Sequence, residues 1–297
     1  MKKRYKFLIA LVLFLGIAGY VILIHVLPYS IIIPPRVTSI DYFENGTTQY
    51  DKVDVVSFDK TKLKGFHVKS SLGKPKASII LVHGIGGCKE HFTDLAINLA
   101  ENGYDSWLFD NRAHGESEGR YTTYGDFEKK DIKAIVNAIK KKTPDTKVAI
   151  WGNSLGGAIA IQAIEYDKRI EFGIIESTFS DLRQIVYDYQ KRFLFDIGIE
   201  FASNIALNEA GQIAKFNPDR VSPIESVKHI TQPILISHGD KDTNISVEYG
   251  KALYENLASK DKTLVLVKGG GHHNLAAIGG QAYPKKLLNF LEAHSSK

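Results

Sequence analysis

A serine hydroxyl becomes a useful nucleophile only when a base takes its proton, and this sequence has one serine in a setting suited to that chemistry. Residues 148–160 read Val-Ala-Ile-Trp-Gly-Asn-Ser-Leu-Gly-Gly-Ala-Ile-Ala: a short apolar strand, a tight turn and a helix of small residues. Ser154 is at the apex of the Gly-x-Ser-x-Gly pattern within the turn. Gly152 and Gly156 leave space where a Cβ would clash. A second match, Gly115-Glu116-Ser117-Glu118-Gly119, follows the polar run Asp110–His114 and leads into Arg120-Tyr121-Thr122-Thr123. No apolar strand precedes it and no helix starts directly after it. Ser154 is therefore the expected nucleophile, and Ser117 a structural loop residue.

The base for such a serine is usually a histidine whose tautomer a carboxylate fixes. His272 lies in Lys268-Gly269-Gly270-Gly271-His272-His273-Asn274, a glycine-rich loop directly after the last apolar strand. Such a loop can carry an imidazole over a sheet edge; His273 is the rival. The carboxylate is expected after an earlier strand, in Ser237-His238-Gly239-Asp240-Lys241-Asp242. Asp240 suits a turn-holding role through its own backbone, which leaves Asp242, deeper in the loop, as the partner of the base. A tetrahedral intermediate also needs backbone donors for its oxyanion. The N–H of Leu155, at the start of the serine helix, is one. Ile85 in His83-Gly84-Ile85-Gly86-Gly87 is the other. No nucleotide-binding glycine pattern fits that loop, and no thiol or carboxylate accompanies the tandem histidines at ligand spacing. No cofactor and no metal are expected.

These residues need a scaffold that brings distant loops to one edge. Val53–Phe58 and Gly65–Val68 read as an opening pair of strands. Residues 77–82, Ala-Ser-Ile-Ile-Leu-Val, are a strand with no polar face, as in a sheet covered on both sides. A helix is expected over about 90–102, a strand over Tyr104–Phe109, a helix near Phe127–Lys142, the Ser154 strand and helix, and a strand over Phe172–Ile175. Strands alternating with helices imply a doubly wound, mostly parallel α/β sheet, with its active site beyond the carboxyl ends of the strands. From 178 to 231 the alternation stops, and the segment is helical in pattern and aromatic (Phe179, Tyr187, Tyr189, Phe193, Phe195, Phe201, Phe216). It reads as a helical cap. Alternation resumes with Ile234–Ser237, Val247–Leu257, Thr263–Val267 and a closing helix from about Tyr283 to His294.

The chain has 297 residues, one cysteine (Cys88) and a formal charge of +5. The charge is local. Without Lys2, Lys3, Arg4, Lys6 and Arg36, the remaining 33 of the 38 bases face 33 acids. A neutral domain gives no argument for nucleic acid as a partner. Phe7–Leu27 is an uncharged apolar run preceded by the basic cluster, long enough as a helix to cross roughly 30 Å of hydrocarbon. The expected organisation is an anchor and linker over 1–36 and a catalytic domain over 37–297, with the cap inserted at about 178–231. Pro28, Pro34 and Pro35 are expected to break the helix and start the linker. The positive-inside rule puts the domain outside the cytoplasm on a single-pass anchor. The competing reading is a secreted enzyme released by cleavage near Gly16-Ile17-Ala18.

The glycine loop after His83, the run Asp110-Asn111-Arg112-Ala113-His114-Gly115-Glu116-Ser117-Glu118-Gly119, the Ser154 turn, His238-Gly239-Asp240-Lys241-Asp242 and Gly271-His272 occur in that order. Together they resemble the α/β-hydrolase superfamily, most of all its bacterial monoacylglycerol-lipase-like and serine-aminopeptidase-like branch. The resemblance implies an eight-stranded sheet, a Ser154–Asp242–His272 triad and oxyanion donors at Ile85 and Leu155. Trp151-Gly152-Asn153 departs from the family's commoner Gly-His before the serine. The expected function is cleavage of a carboxylic ester or thioester with an apolar acyl group, from a small-molecule or lipid-like substrate, through an acyl-serine intermediate. The alternatives are a peptidase or amidase using the same triad and a non-catalytic binding protein on the same scaffold.

Overall fold

The computed structural model describes residues 2–40, 43, 46–194 and 196–295. Phe195, one of the expected cap aromatics, lies outside the described residues.

Among the described residues eight strands form one sheet: β1 (Tyr50–Val56), β2 (Lys62–Val68), β3 (Ala77–Val82), β4 (Asp105–Phe109), β5 (Lys147–Asn153), β6 (Ile170–Glu176), β7 (Ile234–Gly239) and β8 (Lys262–Val267). Their spatial order is β1-β2-β4-β3-β5-β6-β7-β8. β1 and β2 pair antiparallel, β2 meets β4 antiparallel, and every pair from β4 to β8 is parallel. The eight-stranded, mostly parallel sheet matches the expectation. Because β3 lies between β4 and β5, the winding reverses there, which opens a crevice at the carboxyl ends of β3 and β5.

Side chains alternate between two cores. Ile80, Val82, Val148 and Ile150 face α4 (Glu128–Lys142) and α5 (Leu155–Tyr166), whereas Ile79, Leu81, Ala149 and Trp151 face α3 (Thr93–Glu101) and α11 (Ala282–Ser295). Burial on both faces explains why β3 has no polar stripe. The remaining helices are α1 (Lys2–His25), α2 (Leu27–Ile32), α6 (Leu182–Phe193), α7 (Glu200–Ala214), α8 (Pro223–Ser226), α9 (Val247–Asn256) and α10 (Leu275–Gly279). The expected cap segment holds α6, α7 and α8. Ser203, Ala206, Ala210 and Gly211 are buried on α7, and such small residues let neighbouring helices approach closely.

Two expectations need correction. The helix expected from about residue 90 begins at Thr93, after a 3₁₀ turn over Lys89–Phe92. Pro28 does not open a linker: it stands in the first turn of α2, where its missing N–H costs nothing. The chain after it also packs on the domain. Ile32 is fully buried, its carbonyl accepts the Thr122 N–H at 2.9 Å, and the Ile31 carbonyl accepts the Tyr124 hydroxyl. Arg36 then donates to the carbonyls of His114, Gly115, Ser117 and Gly119. The helical stretch from 3 to 32 is long enough to cross a membrane, and its most apolar 18-residue window has a mean hydropathy of 2.9.

The glycines of the serine turn are required by contact. A Cβ on Gly152 would lie 2.2 Å from the Gly156 carbonyl oxygen, and one on Gly156 would lie 1.9 Å from that of Val82. Neither neighbour is a side chain that can rotate away. Gly156→Ala is expected to lower stability by at least about 2 kcal/mol, measured by chemical denaturation. Gly271→Ala, whose Cβ meets nothing nearer than 3.5 Å, is expected to change it little.

Candidate active site

Ser154 lies between the end of β5 and the start of α5, with φ 54° and ψ −123°. A non-glycine residue reaches this backbone region at a cost of order 1–3 kcal/mol and keeps it only where its surroundings fix it. Here they do. The Ser154 N–H donates to the Glu176 carbonyl at 2.9 Å. The Ser154 carbonyl accepts the Thr178 hydroxyl at 2.7 Å and the N–H groups of Gly157 and Ala158. The carboxyl end of β6 thus holds both sides of the serine peptide, which projects the hydroxyl into the crevice.

The loops after β7 and β8 bring Asp242 and His272 there. His272 Nε2 lies 3.0 Å from Ser154 Oγ, and His272 Nδ1 lies 2.7 Å from Asp242 Oδ2. His273 stacks edge-on against His272 with ring centroids 4.5 Å apart, outside this chain of contacts. Asp242 Oδ1 accepts the N–H groups of Asn244 and Ile245 at 2.8 and 2.9 Å, so both carboxylate oxygens are occupied. Burial pushes the Asp242 carboxyl up. The hydrogen bonds from His238, His272 and the Ile245 N–H outweigh it and hold the group well below the usual carboxylate range. Asp240 does not act through its own turn as expected. Its Oδ1 accepts the Gly269 N–H at 2.6 Å, which ties the Asp242 loop to the His272 loop.

Leu155 is the first residue of α5; N–H groups of a first helical turn have no intrahelical acceptor and carry the positive end of the helix dipole. On the facing side Gly84 passes so close that a Cβ there would lie 3.1 Å from Ser154 Cβ. Gly84–Gly87 is a turn closed by the Gly87 N–H to the Gly84 carbonyl at 3.1 Å, with Gly86 at φ 67°. Ile85 at its corner lines the same cavity as Ser154 and Leu155.

Three positioning groups, His83, Glu176 and His238, stand in the sequence only as polar residues at the carboxyl ends of apolar strands, with no role or partner legible there. His83 is buried beneath the Gly84 turn: Nε2 accepts the Asn111 N–H at 3.0 Å, so Nδ1 carries the proton and donates to the Gly84 carbonyl at 2.8 Å. Burial, with the neighbouring His114 ring, holds the His83 imidazole down to about 3. His238 is fully buried below Asp242, its Nε2 2.9 Å from the Ile245 carbonyl and 3.4 Å from Asp242 Oδ2. The Glu176 carboxyl is held by the Trp151 indole N–H and the Tyr283 hydroxyl. Burial raises its pKa against those bonds. The Trp151–Glu176 bond gives Trp151 a role two residues before the turn. Glu176 and His238 are visible in sequence as polar residues ending apolar strands, but their partners are not.

The Ser117 hydroxyl donates to the Asp110 carbonyl at 2.7 Å and accepts the Lys64 N–H at 2.9 Å, in a buried position. It leaves no room for a base. Around it Lys89 Nζ is enclosed by Asp110, Glu90 and Glu116, and Arg112 meets Asp131 through two nitrogens.

A cavity of about 450 Å³ opens above Ser154. Its walls are apolar: Ile85 and Leu155 at the serine, Phe179, Ile185 and Tyr189 from the cap side, and Ile22, Leu27 and Ile31 from the N-terminal helices.

A model of the alpha/beta hydrolase fold matches residues 77–196, and one described as serine aminopeptidase, S33, matches residues 222–276. The uncharacterized protein YfhR of Escherichia coli K12 is 25% identical over 249 residues, covering 81% of this chain and 80% of its own. The lysophosphatidylserine lipase ABHD12 of Danio rerio is 29% identical over 198 residues, covering 63% of this chain and 48% of its own, so this chain spans about half of that relative. Among solved structures the Pyrococcus furiosus esterase Pf2001 superposes with a TM-score of 0.74 at 24% identity, covering 89% of this chain and 98% of that one; at that identity the likeness concerns the fold.

The His83 geometry has a pH signature. The neutral imidazole is favoured by folding and its pKa lies below the unfolded value of 6.5. The unfolded chain therefore binds the extra proton between about pH 6.5 and 3, and stability falls as pH falls through that window. The melting temperature is expected to drop from pH 7 to pH 5, and to drop less in His83→Gln.

The winding reversal at β3, the glycine-packed serine turn at that crevice, and two hydrolase models matching successive parts of the sheet make this chain an α/β-hydrolase enzyme.

Proposed function

We propose that the protein is a serine hydrolase that cleaves a carboxylic ester or thioester with an apolar acyl group. Ser154 Oγ attacks the carbonyl carbon while His272 Nε2 takes its proton. Asp242 holds Nδ1–H and stabilises the imidazolium. The carbonyl oxygen, now an anion, is met by the N–H groups of Leu155 and Ile85. Collapse of the tetrahedral intermediate breaks the bond to the alcohol or thiol, which leaves with the proton from His272. Water then attacks the acyl-serine by the same route, releasing the acid and free Ser154.

The observation that carries this reading is the Asp242–His272–Ser154 chain of hydrogen bonds, at 2.7 and 3.0 Å, at the base of an apolar cavity. A relative named as a lysophosphatidylserine lipase points to a lipid-like acyl substrate as well. The S33 serine aminopeptidase match over 222–276 favours a second reading, amide or peptide cleavage by the same groups.

The organisation proposed with it is an N-terminal segment, 1–36, that anchors the enzyme, and a domain over 37–297 with its cap at about 178–231. The basic residues at the start of α1 favour a cytoplasmic N-terminus and an extracytoplasmic active site. The form cleaved near Gly16-Ile17-Ala18 would be secreted. The mature N-terminus separates the two.

A fluorophosphonate probe is expected to label the full-length protein and the Ser117→Ala variant but not Ser154→Ala. Labelling that persists in Ser154→Ala overturns the assignment. Asp242→Asn is expected to keep the fold and lose about 10³–10⁴ in kcat. A series of p-nitrophenyl esters of rising chain length, set against aminoacyl amides, separates esterase from peptidase, and turnover only of the amides would reverse the order of the two readings.

A further inference from the structure

The cavity above Ser154 is not enclosed by the sheet and cap alone. Ile22, near the outer end of α1, and Leu27 and Ile31 of α2 make one of its walls, facing Tyr189 and Phe193 of α6. Ile22 and Leu27 belong to the stretch from 3 to 32 that is apolar enough to cross a membrane. This wall is fixed in place. The carbonyls of Ile31 and Ile32 each accept a hydrogen bond from the Thr122–Tyr124 segment, Ile32 is fully buried, and α2 packs on α7. The cap beside the opening is itself apolar: Phe193 is 79% exposed and Leu194 41%. An aliphatic wall continuous with a membrane-crossing helix suits an acyl chain that leaves Ser154 and runs toward the bilayer. It does not suit a short polar acyl group.

We infer that the outer end of the N-terminal helices is one wall of the acyl channel, so that the anchor sets chain-length specificity and the preferred substrate is an ester of a long-chain fatty acid in or at the membrane. The inference rests on the serine hydrolase reading above. Leu27, Ile31 and Ile22 are then specificity residues that act far from the reacting bond. A substrate with a short acyl group reaches Ser154 without touching them.

The test uses the full chain in phosphatidylcholine vesicles, with p-nitrophenyl butyrate and p-nitrophenyl myristate as substrates. Leu27→Trp and Ile31→Trp narrow the channel at the wall and are expected to lower the myristate-to-butyrate ratio of kcat/KM about tenfold, a discrimination of the size that a pocket wall imposes. Ile31→Ala widens it and is expected to move the chain-length optimum upward. Leu15→Trp, an exposed position in mid-span, is expected to leave the ratio as in the wild type. An unchanged ratio in both tryptophan variants and an unmoved optimum in Ile31→Ala overturn the inference. Fluorophosphonate labelling of Ser154 in the same samples keeps the two readings apart: labelled protein with a flat ratio removes the channel wall, and unlabelled wild type removes the serine hydrolase reading.

Discussion

The backbone of Ser154 is the constraint on which the rest of the structure depends. A left-handed serine at the end of a strand is unfavourable in isolation, and the neighbouring elements supply what holds it. β6 supplies the acceptor for its N–H and, through Thr178, a donor for its carbonyl. β3 approaches α5 so closely that only glycine fits at 156. α5 starts immediately, with Leu155 as its first residue. The order of strands follows from the same need. β5 must have parallel neighbours on both sides whose carboxyl ends finish at one edge, and β3 and β6 provide them.

The electrostatics of the site are arranged in layers. Asp242 is buried and would be a costly charge, but both oxygens are bonded and His238 supports it from below. That leaves His272 with one nitrogen committed and the other free to face the serine. On the opposite side His83 is kept neutral by burial, so the loop carrying Ile85 rests on a fixed tautomer and not on a charge. Two histidines near one serine therefore sit in contrasting settings, one bonded to a carboxylate and one to the backbone of Gly84 and Asn111.

Much of this was legible in the chain itself. Strand–turn–helix patterning around residue 154 distinguishes it from Ser117, because a polar run cannot supply a buried strand. Glycine-rich loops after apolar strands mark where acid and base must emerge. Periodicity could not reveal contacts between residues distant in sequence. Asp240 reads as a local turn residue, and only the fold shows Gly269 within its reach. Pro28 reads as a breaker, yet proline also suits a first helical turn, and which role it takes depends on whether an apolar helix can pack there. Glu176 and His238 are polar ends of apolar strands; their partners come from Tyr283 and Ile245, set by tertiary packing alone.

The four carbonyls gathered by Arg36 have a mechanical consequence. A hydrolase on a slack tether samples a hemisphere of orientations and a range of heights above its attachment point. Here the guanidinium locks the exit of the long apolar N-terminal stretch to the body of the enzyme, leaving almost no free chain between them. With that stretch seated in a bilayer, rotation about the membrane normal would survive, but tilting and lifting would not. The enzyme would then search for substrate in two dimensions, and its effective concentration unit would be molecules per area of membrane.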